Sequence, residues 1–211
     1  MEGKAPGVTQ WRNHHAKSII ASPAGLQAMT QWANRWSAGR MPESAAEVWR
    51  CVLGVPLCKE QTGVRPLLLG EVLLKDPSVV IHTKMSQKAV SALGARQYGM
   101  GNQNAAVPTW ARNCSDSDVI VSTDVQNAFG EAKRRDALVE IVASMPEAAP
   151  FLASMWGLGG TTVYLRGSDG WDSFLIMDGF FQGETWSSLL FCLVLGAVLT
   201  TFRKKLASSG M

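Results

Sequence analysis

The sequence predicts an α+β fold, on three observations. Apolar residues recur at helical spacing in several separate stretches, two pairs of short β-rich runs each surround a turn, and an apolar run lies near the C-terminus. At 211 residues, 46% of them apolar, the chain can fill one large core or two small lobes, and disorder throughout is excluded.

Residues 1–21 lack periodicity and are expected to form a loose lead. Ser22-Pro23 starts a helix, with serine as N-cap and proline at the first helical position, and Leu26, Met29, Trp32, Ala33 and Trp36 then repeat at helical spacing as far as Gly39. A second helix is expected from about Glu43 to Leu53. The runs "VPLCK" and "GVRPLLLG" around Glu60-Gln61-Thr62-Gly63 read as a hairpin with Lys59 and Arg65 near its tip. Residues 70–113 look mostly helical, with breaks at Pro77, around Gly99 to Gly101 and at Pro108. A strand over 118–123 opens the second half, followed by helices from about Glu131 to Ser144 and from Glu147 to Trp156. "TTVYLRGSDGWDSFLIMDG" gives a second hairpin around Gly167-Ser168-Asp169-Gly170. This divides the chain into the lead (1–21), a basic lobe (22–115) and a second lobe (116–211) that ends in an apolar helix.

The net charge of +3 hides an asymmetry: residues 1–115 carry +7 and residues 116–184 carry −7. Basic surface favours polyanions, and carboxylates beside it favour cations, so a phosphate chain and a metal ion are the expected partners. Four cysteines without paired spacing and three histidines at 14, 15 and 82 indicate neither a zinc site nor a disulfide framework. The opening residues are polar and mixed in charge, unlike a secretory signal, so an intracellular chain, cytoplasmic or nuclear, is expected. Residues 185–202 are uncharged, but only 189–202 are mainly apolar, short of the roughly 20 residues that span a bilayer. Arg203-Lys204-Lys205 would suit a cytoplasmic stop. A buried helix is expected here, with a membrane anchor through 185–205 as the alternative.

The chemistry centres on Asp124, which ends the predicted strand in "VIVSTDVQNAF". A carboxylate fixed at a strand end can hold a divalent cation through oxygen, although such a residue also serves as a helix cap or turn. Three further blocks, "KEQTGVRPLLLGEVL", "QYGMGNQNA" and "GFFQGETWSSLLF", stand in order around it. From about Gly39 to Phe202 the chain resembles the reverse transcriptase domain of non-LTR retrotransposons. The blocks are similar to that family's fingers hairpin, its Gly-rich linker, its Asp-x-x-Asn-Ala-Phe metal motif and the Gln-Gly that starts a palm helix.

The resemblance implies the fingers and part of the palm of a right-hand polymerase, an RNA-directed DNA polymerase working by two-metal nucleotidyl transfer. Asp124 would bind Mg2+, with the backbone carbonyl of Val125 as a further ligand. Phe129 would lie under the incoming sugar and exclude a 2′-hydroxyl. Lys59 and Arg65 would neutralise the triphosphate. Gln182 and Gly183 would abut the nucleotide and the templating base. The implied partners are an RNA template, a DNA primer and deoxynucleotides.

Departures from the family are also legible. Gly183 is followed by Glu184-Thr185-Trp186-Ser187-Ser188 rather than Asp-Pro-Leu-x-Pro, and Gly130 replaces an asparagine. The Tyr-x-Asp-Asp hairpin that supplies the family's other metal carboxylates does not occur within the 211 residues, and Asp172 and Asp178 precede the Gln-Gly block and cannot replace it. The expectation is a truncated domain, inactive as this chain, that self-associates through 185–205. A non-catalytic RNA-binding module using the basic half is the alternative function.

Overall fold

A computed structural model describes residues 5–58, 63–93, 115, 125–157 and 159–209. In chain order the described elements are α1 (Asn13–Ile20), α2 (Pro23–Ser37), α3 (Glu43–Arg50), β1 (Val52–Cys58), β2 (Val64–Leu69), α4 (Val72–Leu93), α5 (Ala128–Glu131), α6 (Arg134–Ser144), a 3₁₀ turn (Pro146–Ala148), α7 (Ala149–Trp156), β3 (Thr161–Arg166), β4 (Trp171–Ile176) and α8 (Ser187–Ser208). The fold is mixed α+β, with one four-stranded sheet in the order β2-β1-β3-β4. Lys59, the Gly99–Gly101 linker, Pro108, the strand over 118–123 and Asp124 lie outside the described residues.

The two hairpins form where turn chemistry puts them. β1 and β2 pair antiparallel from Leu53↔Leu69 to Cys58↔Val64, and β3 and β4 from Thr161↔Ile176 to Arg166↔Trp171, closed by Gly167 N–H donating to Gly170 O at 2.8 Å. A parallel pairing of β1 with β3, Val52↔Val163 to Gly54↔Leu165, joins them into one sheet. Val52, Thr161 and Val163 are buried beneath it.

The main core lies among the helices. Trp36 of α2, Ile141 of α6, Phe151 and Leu152 of α7, and Leu189 and Leu190 of α8 are fully buried, together with Met145 and Trp186. Both the sheet and this core draw on residues before and after position 115.

Local signals fail where tertiary contacts outweigh them. Helix α4 runs through Pro77 without the expected break. Pro77 cannot donate to the carbonyl of Leu73, a loss of a few kcal/mol in an exposed helix. Here Val72, Leu73, Leu74, Ile81 and Ala89 are buried on both sides of it, and the ring is itself buried. Helix α3 stops at Arg50 rather than Leu53, because Cys51 turns extended (φ −59°, ψ 142°) and Val52 and Leu53 enter the sheet. The helix expected from Glu131 starts at Arg134, because Ala132 and Lys133 are extended and Ala132 O accepts from Gly179 N–H. Within the stretch expected to be loose, residues 13–20 form α1, and Thr9 donates from its backbone N–H and its hydroxyl to buried Glu71.

In α8 the expected burial holds for Leu189 and Leu193, while Phe191 and Val194 are half-buried against the core. Val198, expected to be buried, is 59% exposed. Val198 lines an open groove between α6 and α8, beside Val139, Val194 and Phe202, rather than the core. Among the described residues no helix is long and apolar enough to cross a membrane.

Candidate functional site

The end of β2, the start of α4 and the turn before α8 enclose a cleft of about 120 Å³. Leu67, Leu69, Leu74, Trp49, Trp156 and Phe181 form its apolar walls, and Arg50, Glu71, Ser78, Thr161, Gln182 and Glu184 its polar ones. Few polar groups converging in an apolar recess is the usual composition of a small-molecule site. Ser78 Oγ and Arg50 Nε are buried without a hydrogen-bond partner, so these walls keep bonding capacity for an occupant.

Arg134 organises one side of the cleft. It is buried; its Nε donates to Gly179 O at 3.0 Å and its Nη1 to Thr161 Oγ1 at 3.1 Å, while its guanidinium lies over the rings of Trp156 (5.8 Å) and Phe181 (5.3 Å). One side chain thereby ties α6, α7 and β3 to the segment that leads into Gln182. Burial pushes its pKa down, opposed by the charges of Glu184 and Asp178.

Glu184 is pushed up in pKa by burial, against the pull of Arg134 and of the Ser187 hydroxyl. Ser187 Oγ is 2.7 Å from Phe181 O and 3.3 Å from Glu184 Oε2. Asp178 is held in the opposite direction, chiefly by the hydrogen bond from Lys133 Nζ at 3.1 Å and also by the backbone N–H of Arg134 at 3.2 Å.

The residues proposed from sequence fall as follows. Gln182 and Gly183 are exposed at the cleft mouth. Gly183 has φ +89° with open space where a Cβ would stand, so backbone conformation, not crowding, calls for glycine. Phe129, in α5, is half-buried with its ring 5.3 Å from that of Phe191, and its carbonyl accepts from Phe180 N–H at 2.7 Å. Val125 is exposed. Arg65 lies in β2 opposite Leu57, two residues before the cleft-lining Leu67. The segments carrying Phe129, Gln182 and Arg65 are thus neighbours, although Arg65 and Gln182 stand over a hundred positions apart. Among the described residues no three His, Cys, Asp or Glu side chains gather as a metal site.

Sequence reasoning missed Arg50, Glu71, Arg134 and Glu184. Arg134 has an exposed arginine as its next neighbour, and nothing local tells the two apart. Glu184 was visible only as a departure from a motif. No family model matches the chain, and no curated protein matches it either.

Proposed function

We propose that the chain is the fingers and partial palm of a reverse transcriptase-like domain from a non-LTR retroelement, whose family chemistry is RNA-directed DNA synthesis from deoxynucleotides. The observation that carries this reading is spatial. Of three blocks whose order along the chain resembles the family, those around Arg65 and Gln182 line one cleft through Leu67 and Gln182, and the Phe129 carbonyl accepts from Phe180 N–H two residues before Gln182, which supports a nucleotide site built from fingers and palm. In this reading Lys59 and Arg65 meet the triphosphate, Phe129 braced by Phe191 floors the sugar, and Gln182-Gly183 faces the base.

The described carboxylates near this edge do not fit a magnesium pair. Asp178 is committed to Lys133 and Arg134, and Glu184 is desolvated beside Arg134. Asp124 and the Val125 carbonyl are left as ligands, too few to offset the charge of two close cations. The 211-residue chain should therefore give no primer extension above background on an RNA template with magnesium. Extension that Asp124→Ala abolishes would refute the inactive assignment and establish a working polymerase.

The +7 charge of residues 1–115 favours a second role, RNA binding through phosphates without chemistry. Lys59→Ala combined with Arg65→Ala should weaken binding of single-stranded RNA and reduce its salt slope by about 1.4, the share of two phosphate contacts. An unchanged slope would remove the hairpin from any phosphate role.

A further inference from the structure

The second half of α8 presents an apolar face that no described residue covers. Val198, Leu199 and Phe202 are 59%, 43% and 55% exposed, and half-buried Leu195 and Leu206 continue the same face at helical spacing. A groove between α6 and α8, lined by Val139, Val194, Val198 and Phe202, borders it, with Asp136 and Glu140 on one wall and Lys205 at its end.

We propose that this face pairs with α8 of a second copy, the two helices antiparallel about a two-fold axis between Thr200 and Thr201. The register is set by the sequence. Turning the helix end for end about that point places Leu195 opposite Leu206 of the second copy and Leu199 opposite its Phe202, so apolar residues meet on both sides of the axis. The same operation carries Lys205 to the level of Gly196 in the other copy. Glu140 stands there, lining the recesses on both flanks of α8 beside Ala197. Among the described residues Glu140 forms no ion pair, so each copy offers the other's carboxylate a cation, and symmetry makes the pair twice.

This self-complementarity selects a second copy over other occupants. Residues 195–206 span about 17 Å of helix, a short seam that gives a micromolar rather than a nanomolar dimer. The surface is narrower than the 185–205 expected from sequence, because residues 187, 189, 190 and 193 are buried within the monomer. It does not depend on the polymerase resemblance.

Sedimentation velocity on the 211-residue chain over the micromolar range should give a monomer–dimer equilibrium. Leu199→Glu with Phe202→Glu should abolish the dimer at unchanged circular dichroism, since both side chains are exposed in the monomer. Lys205→Glu and Glu140→Lys should each weaken it roughly fivefold, and the double reversal should restore it. A wild-type monomer at the highest concentration overturns the proposal. So does aggregation indifferent to the charge swap, or partition into phosphatidylserine vesicles in place of dimerisation.

Discussion

Removing Arg134 should cost more stability than any other single polar substitution near the cleft. Arg134→Ala deletes two hydrogen bonds from a charged donor, to Gly179 O and Thr161 Oγ1, each worth about 1.5–3 kcal/mol, and the contacts with Trp156 and Phe181. Against this stands relief from burying a guanidinium, which the depressed pKa registers. Taking one member from a buried charged network leaves a net loss of about 3–5 kcal/mol, a large part of a domain stability of roughly 5–15 kcal/mol. Urea unfolding followed by far-ultraviolet circular dichroism should then show a midpoint lower by about 2 M, for a slope near 2 kcal/mol/M. Arg134→Lys should fall between the two proteins, because an ammonium keeps the charge but cannot reach both acceptors with a planar fork. In a Glu184→Gln background the loss should shrink by about 1 kcal/mol, since no carboxylate is then left without its guanidinium partner. A loss below about 1 kcal/mol for Arg134→Ala, with no coupling to Glu184, would refute the assignment of Arg134 as the tie between β3 and the Gln182 turn.

Two further outcomes follow from buried contacts. Gly157 has φ +59° and ψ 168°, a glycine conformation, and a Cβ there would stand 1.7 Å from Arg50 Nη1, which donates to Ser154 O; Gly157→Ala should cost about 2–4 kcal/mol, read as a lower Tm, and an unchanged Tm would refute the clash. His82 packs edge-on against Trp186 at 5.1 Å with Nε2 buried and unpartnered, and burial lowers its pKa from 6.5. The unfolded chain therefore takes up the proton first, so the stabilising term is complete above pH 6.5 and is lost as pH falls through the depressed folded value. His82→Phe should lose that part of the acid sensitivity between about pH 7 and pH 5, and parallel Tm profiles for the two proteins would show that His82 does not titrate against folding.

What the sequence determined by itself is what short-range physics controls. Ser22 accepts from Gly25 N–H at 3.1 Å as a capping residue before Pro23 should, and Gly167 to Gly170 close a hairpin because that turn needs only its own residues. Both strand pairs were legible for the same reason. Tertiary structure decided whatever depends on a neighbour distant in the chain. Nothing near Val52 announces a parallel partner at Val163, because that pairing depends on which strand edges the helices leave open. Pro77 stays in its helix because burial on both sides exceeds the cost of one missing hydrogen bond, a comparison that no local window contains. Leu193 and Val198 are alike in type and helix, yet one is buried and the other exposed, since Leu193 packs into the helical core while Val198 lines the open groove between α6 and α8. Arg134 is buried and Arg135 exposed because consecutive helical residues point about 100° apart, and only the packing of Trp156, Phe181 and Thr161 decides which direction is inward.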